Sequence, residues 1–494
     1  MSEVPAGLSL GNLERRAPRP SATLMVTRDG REGVEVLLGR RAETMPAFPE
    51  YWAFPGGGIA SCDRESVEQL PHLNLAQAAM FRELVEELGL APKNGKLVAV
   101  DEGNRMQVVA DKNNWLRLVS SGEIPCDNEG VRLISKRTTP PFGPMRFENS
   151  FLHIHAGDVV ADFSLSGQTE FVDARWVKPK NLIAEWKCNS IKVAPPVVSL
   201  LIEVARCLEN NADDMNAVAL DLENRMPGRN SILFAHGVEV VPVPTATLPP
   251  ADHTNSYLVG DPEGDFILVD PACRSEKAIK ELLIAVGRHQ GELVAMMFTH
   301  RHLDHLGDVE LLKQTFPVPI WASKETATAI PCDRILVDGE ILQLGSQQWQ
   351  VLDTPGHCTG HLCLFSESGL IAGDMVAGIG TILIPPSDGD MNMYLEQLRR
   401  LSDLKPHLIF PSHGPVIPLP LEKLEYYITH RRKRHQRVLA ATSRHNSTAD
   451  IAIDAYSDTP DAHPILAEDQ TLAHLLALER EQKVAQNKLG WVIS

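Results

Sequence analysis

One short segment of this sequence restricts its fold and chemistry more than any other. Residues 299–308 read THRHLDHLGD, and they directly follow an apolar run that is typical of a buried β-strand. His300 and His302 stand two positions apart, so their side chains project to the same side of an extended segment. Asp304 and His305 then begin a predicted helix, so one rigid turn can face two adjacent metal positions. Imidazole and carboxylate ligands suit zinc, and open sites built from them are typically catalytic.

Three segments further along the chain support a metal site. A His-x-His pair alone is more often a surface pair than a set of ligands, because short motifs match by chance. Each further segment, however, is an apolar run that ends in a small-residue turn and presents one candidate ligand. These candidates are His357, Asp374 and His413. Strand ends are common positions for catalytic groups in layered α/β folds, so we expect these side chains to converge.

The order of these residues resembles the metallo-β-lactamase superfamily, whose signature is HxHxDH followed by single His, Asp and His ligands. The resemblance covers about residues 238–417. It implies a binuclear site in which one zinc ion is held by His300, His302 and His357. The second zinc ion would be held by Asp304, His305 and His413, with Asp374 bridging the two. The resemblance further implies hydrolysis, with Asp304 as a catalytic proton acceptor and Asp270 orienting ligands from behind the site.

Finer features resemble the β-lactamase-like protein group with a C-terminal winged-helix tail, some of whose members are ribonucleases and others thioesterases. The segments that match are 254–260, 411–417 and 426–439. The last one contains a basic run, 430–437, whose ordinary interpretation is a solvated helix face. Its functional interpretation is a substrate-binding patch in which Arg431 and Arg434 hold phosphates of RNA or of coenzyme A. No aromatic residues interleave with the run, which weakens the RNA interpretation.

A second, acidic motif lies in the N-terminal half of the chain. Residues 82–90 read RELVEELGL, and on a helix Glu83, Glu86 and Glu87 share one face. Clustered carboxylates repel one another unless a hard cation lies between them, and magnesium suits such oxygen ligands. Without further context, the pattern is more often an ordinary acidic amphipathic helix.

Together with PGGG at 55–58, this motif resembles a Nudix box, which ends in Arg-Glu-x-x-Glu-Glu-x-Gly. The residues implied to bind Mg2+ or Mn2+ are Glu83, Glu86 and Glu87. Glu86 would be catalytic, and Arg82 would brace the carboxylates. The chain departs from the box because Asp63 stands at the upstream Glu position and an insertion separates it from Arg82. The later segments 145–152 and 192–201 resemble the coenzyme A diphosphatase branch.

These resemblances imply a multidomain chain of the α/β and α+β classes. We expect a Nudix α/β/α sandwich, then a metallo-β-lactamase αββα sandwich and a small winged-helix-like tail. The expected boundaries are 20–205 for the Nudix-like domain, 206–237 for a linker, 238–420 for the metallo-β-lactamase domain and 421–494 for the tail.

Charge, cysteine usage and hydropathy restrict the location and the partners. The net charge of −17 argues against general affinity for nucleic acid. None of the eight cysteines forms a CxxC pair, which predicts reduced thiols. The first residues have no apolar signal region and no later run could span a bilayer, so we expect a cytoplasmic protein without membrane contact. The sequence predicts no particular oligomeric state.

The favoured function is zinc-dependent hydrolysis of a thioester such as an acyl-coenzyme A, joined to a Nudix-like nucleotide or coenzyme A diphosphatase. A Nudix half of the coenzyme A type would recognise the same nucleotide, which is the reason for this choice. The expected partner is therefore a small molecule, and nucleic acid is the less favoured one. Two alternatives stay open: a zinc-dependent endoribonuclease, and a Nudix half that binds a nucleotide without hydrolysing it.

Overall fold

The computed structural model describes residues 17–45, 48–143, 145–156, 170–224 and 231–494. The chain divides into two units, the first ending at His236 and the second beginning at Gly237. Both units combine helices with β-sheets, in agreement with the predicted fold class. Residues 1–16, which were searched for a signal region, and residues 225–230 of the predicted linker lie outside the described residues.

The first unit is built on a sheet with the strand order β3-β2-β1-β8-β7, in which β4 also pairs with β1 and β9 with β2. The described strands of this unit are β1 Arg19–Gly30, β2 Gly33–Arg41, β3 Trp52–Ala53, β4 Gly56–Gly58, β5 Leu90–Lys93, β6 Lys96–Ala99, β7 Arg132–Thr138, β8 Phe147–His155, β9 Phe171–Val177 and β10 Leu233–Ala235. Its helices are α1 Ser61–Gln69, α2 Leu75–Leu88, α3 Glu102–Ala110, α4 Asn114–Ser120, α5 Pro179–Lys187, α6 Pro195–Asn210 and α7 Met215–Asn224.

Helices cover both faces of this sheet because successive strand residues point in opposite directions. Strands β1 and β2 form an antiparallel hairpin in which Thr27 lies opposite Val36. On one face, Met25 and Val36 belong to a core shared with α5, α6 and α7. On the other face, Leu24 and Val26 belong to a core shared with α2. Full burial of an aliphatic side chain of this size contributes roughly 1.5–3 kcal/mol, so this alternation fixes the register of the hairpin.

Helix α2 carries the acidic motif, and its two ends have recognisable capping signals. At the start, the Asn74 side chain accepts a hydrogen bond from the Gln77 N–H, and the Gln77 side chain accepts one from the Asn74 N–H. At the end, Gly89 adopts a left-handed conformation with φ of 65°. A β-carbon on Gly57 would lie 2.4 Å from Glu83 Oε1, so the glycine turn lets β4 approach this carboxylate closely.

Helix α7 corrects the predicted linker, because it lies inside the segment 206–237. Val218 and Leu222 stand on one face of the helix and are buried in the core beneath α6. This burial removes apolar surface from water, which holds the segment in the first unit rather than leaving it as a connection. The first unit therefore extends beyond residue 205.

The second unit contains two larger sheets and a C-terminal helical region. The strands are β11 Val238–Pro244, β12 His253–Gly260, β13 Asp265–Val269, β14 Glu292–Met297, β15 Ile320–Ala322, β16 Arg334–Ile335, β17 Ile341–Leu344, β18 Gln347–Asp353, β19 Leu362–Ser366, β20 Gly369–Gly373, β21 Ile409–Pro411, β22 Val484–Asn487 and β23 Gly490–Ile493. The helices are α8 Glu276–Val286, α9 Leu303–Leu306, α10 Val309–Thr315, α11 Met391–Asp403, α12 Pro420–Thr442, α13 Thr448–Ala455 and α14 Pro464–Arg480, with a 3-10 turn at Thr326–Thr328.

The layers of this unit follow from its two cores. Strands β11 to β16 lie in consecutive order in one sheet, and β17 to β21 lie in consecutive order in the other. Leu268 and Met296 of the first sheet pack with Leu282 of α8. Leu370 and Ala372 of the second sheet belong to a core shared with α11 and α12. One helical layer therefore lies on each sheet, as an αββα arrangement requires.

The C-terminal region consists of α12, α13, α14 and the β22–β23 hairpin. Val438, Ile451, Leu475 and Trp491 bring these four parts together in a small core of their own. The winged-helix-like character of this region stays a prediction. No helix in the described ranges is both long and apolar enough to cross a membrane.

Candidate metal centres

All seven predicted zinc ligands are buried: Asp304 and His305 lie in the short helix α9, and the other five lie in the turns that follow strands. Those with no more than 1% exposure are His300, His302, His305, His357 and Asp374, while Asp304 and His413 reach 7% and 5%. The structure brings their ligand atoms together in overlapping groups, and within each group these atoms lie within 4.8 Å of one another. The groups are His300, His302, His357 and Cys358; His300, His305 and Asp374; and Asp304, His305 and His413.

Three imidazoles form the first half of the cluster. His302 Nδ1 lies 3.0 Å from His300 Nε2 and 3.0 Å from His357 Nε2. Burial lowers the pKa of His357 to about 3, and it also lowers the pKa of His300 well below the usual value. Both rings are therefore neutral at physiological pH, and their ring nitrogens can offer lone pairs to a cation.

Carboxylates and imidazoles form the second half. His413 Nε2 lies 3.5 Å from Asp304 Oδ2 and 3.5 Å from Asp374 Oδ1. His305 Nε2 lies 3.5 Å from Asp374 Oδ2. Burial opposes ionisation of Asp304, yet the neighbouring His305 and His413 hold its pKa at about 2. The two acids are thus charged at neutral pH in a place from which water is largely excluded.

Several of these atoms lack a hydrogen-bond partner within the described parts of the chain. They are Asp304 Oδ2, His305 Nε2, Asp374 Oδ1 and Asp374 Oδ2. A buried charged oxygen without a partner is costly, and such atoms in a native protein normally find a ligand, an ion or a water. Because these atoms converge with imidazole nitrogens, the residues present fit a pair of divalent cations.

Asp270 supports the cluster from behind. Its Oδ1 accepts a hydrogen bond of 2.7 Å from the Thr299 N–H, and its Oδ2 accepts one of 2.6 Å from the Thr299 hydroxyl. The same Oδ2 lies 2.9 Å from His305 Nδ1, which donates to it. Asp270 therefore fixes the tautomer of His305 and turns the Nε2 atom towards the cluster.

Two backbone carbonyls fix the tautomers of His357 and His413 in the same way. His357 Nδ1 donates to the Leu383 carbonyl at 2.8 Å, and His413 Nδ1 donates to the His253 carbonyl at 3.0 Å. A carbonyl can only accept, so the proton of each ring stays on Nδ1. Nε2 is left to face the metal positions.

A second cluster surrounds Arg82 in the first unit. Arg82 Nε and Nη2 donate to the two oxygens of Asp63 at 2.7 and 2.9 Å. Arg82 Nη1 donates to Glu83 at 2.9 Å and to Glu86 at 2.8 Å. Asp63, which stands at the upstream Glu position of the box, therefore pairs with Arg82 although the inserted segment separates the two in the chain.

Glu83 and Glu87 are the two buried glutamates of this second cluster. Burial, followed by the charge of Glu83, raises the pKa of Glu87 well above the usual range. Burial also raises the pKa of Glu83. Both carboxylate oxygens of Glu87 lack a hydrogen-bond partner in the part of the chain that the structure describes. Lys112 Nζ, 3.5 Å from Glu86, offsets only part of the negative charge, and a divalent cation fits the set.

Comparisons with known proteins match the two segments that carry these clusters. The family profile of the Metallo-beta-lactamase superfamily matches residues 249–413, and that of the NUDIX domain matches residues 17–126. Beta-lactamase-like protein 2 homolog of Drosophila melanogaster is 30% identical over 253 residues, which are 48% of this chain and 85% of that protein. The chain belongs to the metallo-β-lactamase superfamily. It also carries a Nudix domain, and it is a hydrolase.

Two further similarities concern one half of the chain each. Atrochrysone carboxyl ACP thioesterase of Aspergillus fumigatus is 29% identical over 196 residues, which are 38% of this chain and 59% of that protein. The crystal structure of a NUDIX hydrolase from Alicyclobacillus acidocaldarius is similar to 38% of this chain over 90% of its own chain, with 23% identity and a TM-score of 0.34.

Arg431 and Arg434 are buried, which corrects the predicted substrate-binding patch. Arg431 is 2% exposed, and it donates to Gln470 Oε1 at 2.9 Å and to the Ile382 carbonyl. Arg434 is 5% exposed, donates to Asp458 at 2.9 Å and lies over the Tyr456 ring. Both stand on the inward face of α12, so these guanidinium groups hold the C-terminal region together rather than meeting substrate.

Sequence reasoning missed two residues beside the metallo-β-lactamase cluster. The side chain of Asp388 is 4% exposed, and its Oδ2 lies 3.6 Å from His302 Nε2, while its Oδ1 accepts hydrogen bonds from Arg301 and Thr359. Asp388 lies in a loop, and no apolar run typical of a strand precedes it, so the sequence does not indicate a role at the cluster. Cys358 shares the first ligand group, although alternation along an extended segment would place its side chain opposite that of His357.

Proposed function

We propose that the metallo-β-lactamase half is a zinc-dependent hydrolase of thioesters, with a coenzyme A ester as the favoured substrate class. The observation that carries the proposal is the convergence of unpartnered carboxylate oxygens and imidazole nitrogens from Asp304, His305 and Asp374. Buried carboxylate oxygens without a hydrogen-bond partner normally meet an ion or a water, and zinc is the cation that imidazole and carboxylate suit.

The proposed ligands fall into two sets. One ion would be held by His300, His302 and His357. The other would be held by Asp304, His305 and His413, with Asp374 shared. Two such ions supply, when bound, a hydroxide at neutral pH and a polarised substrate carbonyl.

Side chains of the protein accept the proton and keep the ligands oriented. Asp304 is ionised at neutral pH, because its pKa is held at about 2, so its Oδ2 can accept the proton that the attacking water loses. Asp270 keeps His305 oriented during this transfer. A thiolate leaves readily, because thiols have a pKa of about 8.5, and a thioester therefore needs little help from a separate general acid.

Three observations support a thioester over RNA. A thioesterase is among the proteins that this half resembles. The burial of Arg431 and Arg434 removes two cations from the basic run that would have held an RNA backbone. The net charge of −17 disfavours long polyanions in addition. None of the eight cysteines is in a disulfide bond, which supports the cytoplasmic location in which coenzyme A esters occur.

The substrate class is tested by offering one purified sample both substrates. We expect acyl-coenzyme A hydrolysis that depends on zinc and little cleavage of short single-stranded RNA. RNA binding would reveal itself by an affinity that falls steeply with salt, with a log–log slope near −0.7 per phosphate contact. Zinc-dependent RNA cleavage with such a slope, and no thioester hydrolysis, would replace this proposal by the ribonuclease alternative.

We also propose that the Nudix half hydrolyses a nucleotide diphosphate bond, such as that of coenzyme A, with Mg2+ or Mn2+. Glu83, Glu86 and Glu87 would hold the cation, and Glu86 would be the catalytic carboxylate. The support is the intact Asp63–Arg82 contact together with the unpartnered oxygens of Glu87. Both features prepare a cation site despite the split box.

The diphosphatase proposal is tested with Glu86→Gln in the full chain. We expect the magnesium-dependent release of phosphopantetheine or a nucleoside monophosphate to fall at least about 100-fold, since the carboxylate positions the cation. Zinc-dependent thioester hydrolysis should persist in the same variant. A wild-type chain that binds nucleotides but hydrolyses none of them would favour the binding-module alternative.

A further inference from the structure

Cys358 stands outside the ligand signature of the family, yet it lies in the metal cluster. It follows His357 directly, and its exposed fraction is 0%. Its Sγ atom and the ligand nitrogens of His300, His302 and His357 all lie within 4.8 Å of one another. The thiol is therefore within reach of the position that these three imidazoles surround.

A tight turn explains how two consecutive residues reach the same cluster. On an extended segment, successive side chains would point in opposite directions. Here the Gly356 N–H faces the Cys358 carbonyl at 3.4 Å, and Gly356 has a φ of 140°, which favours glycine. A β-carbon at Gly356 would also lie 2.4 Å from the backbone of Tyr394. The turn therefore depends on this glycine, and it directs His357 and Cys358 to one side.

We propose that Cys358 is a thiolate ligand of the ion held by His300, His302 and His357. This inference rests on the metal centre of the proposed function. A thiolate would add a soft, negatively charged ligand to three neutral imidazoles, and zinc accepts imidazole and thiolate in one site. On binding, the thiol gives its proton to solvent and the sulfur takes its place in the metal coordination, without any change of oxidation state.

The thiolate would also affect which metal is bound. A soft sulfur ligand favours zinc over magnesium or manganese at the position that His300, His302 and His357 surround. The hydrolytic role of the two ions is unchanged by this ligand.

Cobalt is the probe that tests this inference, because zinc has no visible electronic transitions. Metal-free full-length protein is loaded with Co2+, and its near-ultraviolet spectrum is recorded. We expect an intense thiolate-to-cobalt charge-transfer band in the wild type that disappears in Cys358→Ser. The matched control is Cys363→Ser, since Cys363 is equally buried but its Sγ contacts the Ala372 carbonyl at 3.4 Å and belongs to none of the metal groups.

Metal affinity gives a second readout that does not depend on activity. In competition with a chelator, Cys358→Ser should release one of its two ions at least about tenfold more readily, since even outer-shell partners are worth about 10–100-fold in affinity. The other ion should keep its affinity. If both ions keep their wild-type affinity in Cys358→Ser, the inference is wrong.

The wild-type spectrum alone decides the inference if Cys358→Ser does not fold. A chain that binds two cobalt ions without a charge-transfer band contradicts the thiolate ligand and leaves the proposed hydrolase intact. A band that survives in folded Cys358→Ser contradicts it as well, because another cysteine would then be the ligand. A chain that binds no metal overturns both the inference and the proposed function.

Discussion

Glu87 has the least favourable electrostatic environment of the acidic helix. Its oxygens are buried without a partner among the described residues, and burial followed by the charge of Glu83 raises its pKa well above the usual range. The native state therefore keeps the proton to a higher pH than the unfolded state, whose Glu titrates near about 4.3. In the metal-free protein, the free energy of unfolding therefore falls as the pH rises from about 4.3 through the raised pKa of Glu87.

Replacing this acid should stabilise the metal-free protein. We expect Glu87→Gln to raise the free energy of unfolding at neutral pH in the presence of a chelator by roughly 1–3 kcal/mol, because the neutral amide avoids the cost of keeping a buried carboxyl group protonated. The stabilisation that Mg2+ gives the wild type should disappear in this variant. Urea unfolding with chelator and with Mg2+ measures both effects, and Glu65→Gln at an exposed position of α1 is the control. A variant less stable without metal, yet stabilised by Mg2+, would contradict this account.

Asp270 should matter for metal affinity although it lies behind the ligands. Asn in its place keeps the size but loses one acceptor, so it cannot serve both Thr299 and His305. We expect Asp270→Asn to weaken zinc binding about 10–100-fold, as for other partners of metal-bound histidines. Competition with a chromophoric chelator measures the affinity, and Asp265→Asn at the exposed start of β13 is the control. Equal zinc affinities in the two variants would exclude the orienting role.

Individual residues show what the sequence could and could not predict. The apolar runs before His300, His357 and His413 predict strand ends, and ends of neighbouring strands meet at one edge, so convergence of these side chains was predictable. Cys358 was not, because alternation places it opposite His357 and only the turn at Gly356 changes this. The position of the Asp388 side chain beside the cluster was not predictable either, since a loop has no periodicity from which the direction of a side chain could be derived.

At the scale of elements, α12 and α14 support the loop that contacts the metal cluster. Arg431 of α12 and Gln470 of α14 bind each other, and together they bind the backbone of Ile382 and Ile384. The residue between these two, Leu383, supplies the carbonyl that orients His357. The C-terminal helices therefore help to hold a candidate ligand in position, although they contribute no ligand themselves.

Removing Arg431 should test this support. We expect Arg431→Ala to lower the free energy of unfolding by roughly 2–4 kcal/mol, because it leaves buried acceptors unsatisfied, and to weaken zinc binding through the loop. Arg432→Ala is the matched control, since this neighbour on α12 is exposed and should change stability by less than about 0.5 kcal/mol. Chemical denaturation and zinc titration measure the two effects. Similar values for the two variants would show that the arginine is not a structural contact.

The basic run also shows the limit of sequence patterns at this scale. A run of like charges is normally solvated, and the order of residues in this run does not indicate that Arg431 and Arg434 face inward. Their partners, Gln470 and Asp458, lie far along the chain in segments without a motif. Burial of an arginine depends on such distant acceptors, so only the tertiary structure reveals it.

At the scale of the whole molecule, each unit contains a complete cluster of candidate metal ligands. Asp63, Arg82 and Glu87 lie in the first unit, and the histidine cluster lies in the second. The fold classes of both could be predicted, because each unit carries a motif whose spacing is specific. The boundary between them could not, since the apolar face of α7 continues the first unit into a stretch that is polar at both ends.

The central claim, that a two-metal cluster performs the hydrolysis, is tested most directly by counting zinc and measuring thioester hydrolysis on the same purified sample. We expect about two zinc ions per chain in the wild type and loss of both bound metal and hydrolysis in His302→Ala, while the magnesium-dependent activity of the Nudix half is unchanged. A chelator should abolish thioester hydrolysis, and added zinc should restore it. A metal-free sample that hydrolyses acyl-coenzyme A at the full wild-type rate would contradict the account.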